Sequence, residues 1–181
     1  MTPADATSTW NIDPAHSHAE FKVRHMMISN VKGSFSGITG TLTEHLSDST
    51  LSSVQASVPV ATLTTGDVQR DGHLKSPDFF DADKFPALTF NSLTVDKMAE
   101  GGYVVSGELT IHGVTRTASF NVEGPTPPAK DPWGNTRIGL SATAKINRKD
   151  YGLSWNAALE SGGFLVGDEV HIALEVQFIR A

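Results

Sequence analysis

Apolar and polar residues alternate with a period of two along most of this 181-residue chain. In residues 19–25, for example, Ala19, Phe21 and Val23 fall on one side, while Glu20 and Arg24 fall on the other. This spacing is typical of a β-strand with one face in the core and one face in water. Eight segments have it, namely residues 19–25, 37–44, 51–60, 87–95, 103–111, 115–124, 136–146 and 169–179.

One of these segments changes phase in its middle. In residues 87–95, Leu88 and Phe90 share one side, whereas Leu93 and Val95 continue the pattern one position out of step. An extra residue in one strand of an antiparallel pair produces such a shift. The sequence therefore predicts a β-bulge near Ser92.

Short turn-forming links such as AEGG and HGVT join most of these segments. Strands connected in this way pair antiparallel with their neighbours, and a sheet of about eight strands usually closes so that it has no exposed edges. We therefore predict an all-β fold, an eight-stranded antiparallel up-and-down β-barrel with a short helical segment around residues 65–85. Residues 8–181 would form this single domain, and residues 1–7 a flexible N-terminal tail.

Several small residues on the apolar face bear on whether the predicted barrel is hollow. They are Gly107, Ala118, Ala142 and Ala144. A solid barrel needs large side chains to reach native packing density, so small residues leave room for one slender ligand. A helix or neighbouring large side chains could fill the same space, and a filled barrel is therefore the alternative.

Residues 65–85 break the period of two. The stretch TTGDVQRDGHLKS predicts a short helix, with a candidate N-cap in Thr65 and acidic Asp67 close behind it. Ser76 and Pro77 fit the start of a second helical turn, because serine caps helices and proline is tolerated at the first helical position. The aromatic residues that follow would plug one end of the barrel or form a lid over it; they are Phe79, Phe80 and Phe85.

Charge and composition exclude several classes of function. The net charge is −6, so the chain has no broad basic surface for nucleic acid, and no segment approaches the ~18 apolar residues that span a bilayer. The chain has no cysteine, which excludes disulfides, thiolate catalysis and cysteine-bound metal. Its first residues lack the basic and apolar regions of a secretory signal, so we expect a cytoplasmic protein, or a periplasmic one if a signal has been removed.

Six motifs occur in order along nearly the whole chain. They are WNIDPAHS at 10–17, FKVRH at 21–25, VKGSF at 31–35, RDGHLKSPDFFDADKFP at 70–86, GELTIHGVT at 107–115 and NRKDYGLSW at 147–155. Together they resemble the YceI-like family. The resemblance implies an extended, lipocalin-like barrel whose internal tunnel binds a polyisoprenoid or a similar amphiphilic lipid, such as an isoprenoid quinone. It implies no catalytic activity and no cofactor apart from the bound lipid.

The predicted tunnel combines an apolar lining with cationic residues at one mouth. Arg70, His73 and Lys75 of the predicted helix and Arg148 of the NRKDYG turn are candidates to contact the polar head group. Most of the affinity would come from burial of hydrocarbon, at roughly 25 cal/mol per Å². The predicted lining residues are Phe21, Val23, Phe35, Val58, Leu74, Phe79, Phe80, Phe85, Phe90, Gly107, Leu109, Ala118, Phe120, Leu140, Ala142, Ala144, Trp155 and Phe178.

The predicted function is binding, transport or storage of a long-chain isoprenoid or fatty amphiphile without catalysis. A metal site is not predicted, because His25 lies on the opposite side of a strand from His16 and His18 and no carboxylate motif completes the set. Two alternatives stay open: a metal-assisted or acid-base enzyme that uses groups such as His73 and Asp78 on a lipophilic substrate, and a filled-barrel interaction domain. The extended flat outer faces of the strands are compatible with a homodimer.

Overall fold

Secondary structure in the computed structural model, which describes residues 6–181, consists mostly of β-strands. The strands are β1 (Thr7–Ile12), β2 (His18–His25), β3 (Ser29–Phe35), β4 (Thr39–His45), β5 (Ser53–Pro59), β6 (Ala87–Lys97), β7 (Tyr103–Ile111), β8 (Val114–Glu123), β9 (Ala129–Lys130), β10 (Thr136–Asn147) and β11 (Val166–Arg180). The helices are α1 (Val68–Lys75) and the short 3₁₀ helices Pro14–His16, Ser49–Leu51, Val60–Thr62 and Arg148–Tyr151.

All eight strands predicted from the alternation are present, as β2, β4 to β8, β10 and β11. The alternation matches the burial: in β8, Ala118, Phe120 and Val122 are buried and the residues between them are exposed. The predicted bulge is confirmed, because the register of β6 against β7 shifts between Ser92 and Thr94. The pattern of apolar residues therefore identified these eight strands and the irregularity in β6.

Eight strands close into an antiparallel barrel. The ring runs β11, β1, β4, β5, β6, β7, β8 and β10, and β10 pairs back with β11. The prediction omitted β1, since its sequence TSTWNI contains only two large apolar residues, Trp10 and Ile12, both of which are buried. The ring has the predicted number of strands, but β1 and not β2 stands between β11 and β4.

The last strand, β11, has two successive partners along one edge. β1 pairs with its end, where Ile12 lies opposite Phe178, and β2 pairs with it from Val166 to Glu175. β3 pairs with β2, and beyond β3 a single bridge joins Ser34 to Thr64. The hairpin β2–β3 therefore extends the barrel wall next to the connection that carries α1.

The predicted helix is α1, with boundaries that differ from the expected ones. Its N-cap is Asp67 and not Thr65, because the Asp67 carboxylate accepts a hydrogen bond from the Arg70 backbone N–H at 3.0 Å. Ser76 does not begin a second helix. Its hydroxyl donates to the carbonyl of His73 at 2.6 Å and ends α1, after which the chain forms successive turns. α1 is too short to cross a bilayer, and residues 6–181 contain no other helix that is long and apolar enough.

The apolar residues inside the barrel form two buried clusters. One contains Trp10 and Phe178, and the other contains Phe120 and Tyr151. The residues that pack against both clusters are only partly buried; they are Phe80, Leu88, Leu140 and Leu174. The interior is therefore divided into two packed regions with an incompletely filled zone between them.

The chain enters the sheet earlier than predicted. Of the expected tail over residues 1–7, residues 1–5 lie outside the described range. The Ala6 carbonyl accepts a hydrogen bond from the Leu46 N–H at 3.0 Å, and Thr7 begins β1 opposite His45. Thr7 therefore belongs to the sheet, because β1 pairs with β4 from Thr7 to Asn11.

Candidate functional site

A large cavity of about 450 Å³ lies inside the barrel. Inward-facing side chains from all eight strands of the ring line it, together with residues of β2, β3 and α1. A volume in this range is typical of sites for small ligands. The prediction of a hollow barrel is confirmed, and a filled barrel does not fit this geometry.

Many residues on the cavity wall are only half-buried although they point into the barrel. Phe21, Val58, Phe90 and Leu174 are examples, one each from β2, β5, β6 and β11. A side chain in a packed core contacts others on every side, whereas one that faces a void keeps part of its surface accessible. The wall is therefore apolar and under-filled.

Most of the predicted lining residues lie on this cavity. Fourteen of the eighteen do so: Phe21, Val23, Phe35, Val58, Leu74, Phe79, Phe80, Phe90, Leu109, Phe120, Leu140, Ala142, Trp155 and Phe178. They come from strands far apart in the sequence, which the closure of the barrel brings together.

Four predicted lining residues do not reach the cavity. Phe85 packs outside the interior, 4.9 Å from the His112 ring in the turn between β7 and β8. Gly107 has no side chain, and its backbone lies against Asn91 and Ser92 of the neighbouring strand β6. Ala118 and Ala144 are covered by larger residues of their buried cluster, so at these positions a small residue does not leave space.

The sequence interpretation also missed residues that line the cavity. Val105, Ile172 and Leu174 follow the same period of two as residues that were predicted, so the pattern itself could have identified them. Tyr103 shares the period of Val105 and could have been identified in the same way, whereas Glu44 could not, because a charged residue on the inner face carries no periodic signal of its own.

α1 supplies two of the four predicted head-group residues to the cavity wall. Arg70 and His73 line the cavity, whereas Lys75 does not, since it lies on the side of α1 near Asp71. The Arg70 guanidinium donates to the hydroxyl of Thr65 at 2.8 Å and to its carbonyl at 3.0 Å. These contacts tie Arg70 to the chain that precedes the helix.

His73 lies in an aromatic contact at the same end of the cavity. Its ring packs edge-on against Trp155, with centroids 4.8 Å apart, and against Phe79 at 5.2 Å. Its Nε2 lies 2.9 Å from the carboxylate of Asp78. The three rings form a largely apolar end wall, which we call the aromatic end: His73, Phe79 and Trp155.

Arg148 also lines the cavity, but protein oxygens surround its guanidinium. It donates to the backbone carbonyls of Leu153, Trp155, Val166 and Gly167 at 2.6–3.3 Å. The residue is only 3% exposed, and burial lowers the pKa of its guanidinium. This geometry makes Arg148 a clamp that holds the connection between β10 and β11 against the barrel.

Polar side chains also lie at the opposite end of the cavity, beside the 3₁₀ helix Ser49–Leu51. The Tyr103 hydroxyl donates to the Ser49 hydroxyl oxygen at 3.1 Å, and the Glu44 carboxylate accepts from the Trp10 indole N–H at 2.8 Å. We call this the hydroxyl end, defined by the cavity-lining residues Glu44, Ser49, Ser52, Ser53 and Tyr103.

His16 and Ser17 near the N-terminus form hydrogen bonds within the protein. His16 Nδ1 lies 2.8 Å from the carboxylate of Asp13, the N-cap of the 3₁₀ helix Pro14–His16. Ser17 exchanges hydrogen bonds with the backbone of Gln177, accepting from its N–H at 3.0 Å. Over residues 6–181 the structure contains no group of three or more histidine, aspartate or glutamate residues arranged to hold a metal ion.

The motifs, the barrel and the cavity agree with one domain family. The sequence model described as the YceI-like domain matches residues 10–178. The chain belongs to the YceI-like family. Among curated relatives, the UPF0312 protein SA2479 of Staphylococcus aureus (strain N315) is 34% identical over 172 residues, which cover 94% of this chain and 97% of that protein.

Solved structures share the YceI-like fold. BcnA of Burkholderia cenocepacia superposes with a TM-score of 0.76 at 22% identity, covering 92% of this chain and 98% of that one. A polyisoprenoid-binding domain from Saccharophagus degradans gives a TM-score of 0.65 at 15% identity, covering 95% and 98% of the two chains. At these identities the likeness establishes the common barrel.

Proposed function

We propose that this YceI-like protein holds a polyisoprenoid, or a similar long-chain amphiphile such as an isoprenoid quinone, inside its barrel. It transports or stores the lipid without changing it chemically. The observation that carries this proposal is the apolar, under-filled cavity that extends from the aromatic end to the hydroxyl end.

The shape of the cavity favours a chain-like ligand. Its lining residues on β11 run from Val166 to Phe178, roughly 40 Å along a strand at about 3.3 Å per residue. A cavity of about 450 Å³ that extends so far is long and narrow. A hydrocarbon chain fits such a space, and each buried CH₂ contributes about 0.8 kcal/mol.

Membership of the YceI-like family supports the same ligand class. The Saccharophagus degradans domain that shares the fold is described as polyisoprenoid-binding. The likeness in fold does not transfer individual contacts. The support for a lipid ligand in this chain therefore comes from its own cavity. The homodimer stays a prediction.

Filling the cavity with one large side chain should remove the lipid. Val105 of β7 lines the cavity and is half-buried, whereas its neighbour Val104 points to the other face of the strand. We expect Val105→Trp to retain roughly tenfold less lipid than the wild type, because the indole occupies space that the chain would fill. Organic extraction of the purified protein followed by mass spectrometry measures the lipid.

Val104→Trp is the matched control, since the same residue changes on the outer face of the same strand. It should retain lipid at the wild-type level. Equal lipid content in the two folded variants, or no lipid in the wild type after loading with a polyprenol, would overturn the proposed function.

A further inference from the structure

The hydroxyl end has hydrogen-bonding capacity that can be directed at a ligand. A hydroxyl group offers one donor and two acceptor lone pairs. Because the Tyr103 hydroxyl uses its proton in the bond to Ser49, its oxygen can still accept, and the Ser49 hydroxyl can still donate. A ligand hydroxyl or carbonyl in the cavity can therefore bond to this pair.

The charge at the hydroxyl end favours an uncharged head group. Of the residues that define it, Glu44 is the charged one, and it is acidic. A carboxylate next to a phosphate or pyrophosphate is unfavourable, whereas it can accept a hydrogen bond from a ligand hydroxyl. The chemistry of this end therefore suits an alcohol or a quinone better than a phosphorylated head group.

The aromatic end offers less to a polar head. Protein oxygens already accept hydrogen bonds from Arg70 and Arg148, and Nε2 of His73 is held by Asp78. Redirecting the Arg148 donors to a ligand would leave carbonyl oxygens without partners, including the buried one of Leu153, which is costly. The faces of Phe79 and Trp155 instead suit a hydrocarbon chain.

The two ends are far enough apart to bind different parts of one ligand. Ser53 of the hydroxyl end is the first residue of β5, and Pro59 is its last residue, where the connection to α1 begins. Six steps along a strand span about 20 Å. An amphiphile lying along the cavity thus places its head at one end and its hydrocarbon at the other.

We infer that the hydroxyl end is a head-group subsite, which takes an uncharged head bearing a hydroxyl or carbonyl group. The isoprenoid tail extends from it toward the aromatic end. This inference rests on the proposed function and adds to it the position and chemical class of the head.

The first experiment compares three probes that share one tail: geranylgeraniol, geranylgeranyl phosphate and the corresponding hydrocarbon. Displacement of a fluorescent lipid from the delipidated protein gives their affinities. The wild type should prefer the alcohol to the phosphate. The double variant Tyr103→Phe with Ser49→Ala should bind the alcohol about 3- to 10-fold more weakly and the hydrocarbon as before, because it loses neutral hydrogen bonds only.

One control variant outside the cavity and one variant of a residue that lines it near the aromatic end test the location of the head group. Ser106→Ala removes a hydroxyl from the outer face of the same strand, where Ser106 bonds to Ser119 at 2.7 Å, and should leave all three affinities unchanged. Arg70→Ala should also leave the preference for the alcohol unchanged. The inference would be overturned if Arg70→Ala selectively lost binding of the alcohol or the phosphate while the double variant Tyr103→Phe with Ser49→Ala kept it. Failure of all three probes to bind the wild type would overturn the proposed function itself.

A second experiment leaves the hydroxyl end unaltered. Trp10 contacts Glu44 there and Trp155 lies at the aromatic end, so indole fluorescence reports on each end. In the variant Trp133→Phe with Trp155→Phe, the remaining Trp10 should lose most of its fluorescence when a short-chain quinone binds. If the quinone quenches the fluorescence of a protein that retains Trp155 but not that of this double variant, the head group lies at the aromatic end. That result would overturn the inference.

Discussion

Arg148 shows how one buried side chain can hold a long connection in place. Its guanidinium donates to four backbone carbonyls, two at each end of the segment 153–167. Asn156 adds to the same connection, because its side-chain amide donates to the Val166 carbonyl at 2.7 Å and accepts from the Val166 N–H at 3.0 Å. The wall of the cavity at the aromatic end, which includes Trp155, therefore depends on this clamp.

Removal of the Arg148 guanidinium should destabilise the protein more than it affects ligand selection. Arg148→Met keeps most of the apolar length of the side chain but leaves buried carbonyls without donors. We expect a loss of about 3 kcal/mol in the free energy of unfolding, or roughly 6–12 °C in Tm for a domain of this size. Thermal unfolding followed by circular dichroism measures the change.

The adjacent residue Lys149 provides the control. Its ammonium group forms an exposed ion pair with Asp168 at 3.3 Å, so Lys149→Met should cost less than about 1 kcal/mol. If Arg148→Met were as stable as Lys149→Met but lost its lipid, Arg148 would be a head-group contact and not a clamp.

At the scale of the element, the bulge in β6 depends on a residue without a side chain. Gly107 of β7 lies opposite Ser92, and a Cβ atom added at Gly107 would come 2.7 Å from the Ser92 Cα and 2.8 Å from the Phe90 ring. Real Cβ atoms do not approach backbone this closely. The glycine is therefore required by the close approach of β6 and not by an unusual backbone angle.

Gly107→Ala should destabilise the β6–β7 pair. We expect a loss of about 1–3 kcal/mol, because the two strands must move apart to accommodate the methyl group. Gly139→Ala is the matched control in β10, where the added Cβ would lie 3.8 Å from its nearest neighbour, the Val176 carbonyl oxygen. Chemical denaturation of both variants tests this; equal stabilities would show that β6 shifts freely around the bulge.

The sequence predicts elements better than it predicts which of them pair. The alternation identified β8 and β11 because every second residue is apolar, and it missed β1 because Trp10 and Ile12 alone do not make a period. The partners of β11 depend on how the barrel closes, and closure involves residues more than 150 positions apart, such as Ile12 and Phe178. A local pattern contains no information about such pairs.

At the scale of the whole molecule, the candidate site was partly predictable for the same reason. Inward-facing apolar residues such as Phe120 and Leu140 follow from the period of the strands. The contacts of Arg148 do not, because its acceptors are backbone carbonyls that any sequence would supply. The family resemblance provided the ligand class. Only the fold shows that Glu44 and Tyr103 both line the cavity at the hydroxyl end.

A long-range ion-pair network also connects distant parts of the molecule. Arg137 of β10 contacts the Asp13 carboxylate at 2.6 Å and the Asp131 carboxylate at 2.7 Å. The hydrogen bond from Arg137 is the main reason that the pKa of Asp13 is lowered and that the pKa of Asp131 falls from 3.8 to about 2. The network thereby joins the turn after β1 to the loop between β9 and β10.

This network makes stability depend on pH in the acid range. Because the folded protein has the lower carboxyl pKa values, the network stabilises it fully above about pH 4, and that contribution is lost as the pH falls toward about 2. The difference in Tm between the wild type and Arg137→Gln should be largest above pH 4 and should shrink toward pH 2. Calorimetry across this range measures the difference.

Arg116→Gln serves as the comparison. Arg116 is exposed and donates to the backbone carbonyl of Asp150 at 3.3 Å. The difference in Tm between the wild type and Arg116→Gln should therefore not shrink toward pH 2. A Tm difference for Arg137→Gln that stayed constant from pH 6 to pH 2 would contradict the assignment of the two lowered pKa values to Arg137.

The order of the strands in the ring has a consequence for synthesis on the ribosome. β1 and β2 both pair with β11, whose fifteen residues follow all the other strands along the chain. At about 5–20 residues per second, the newly made N-terminal strands spend roughly 10–30 s without their final partner. The apolar inner wall is exposed throughout that interval, and no enclosed compartment exists until β11 has been made.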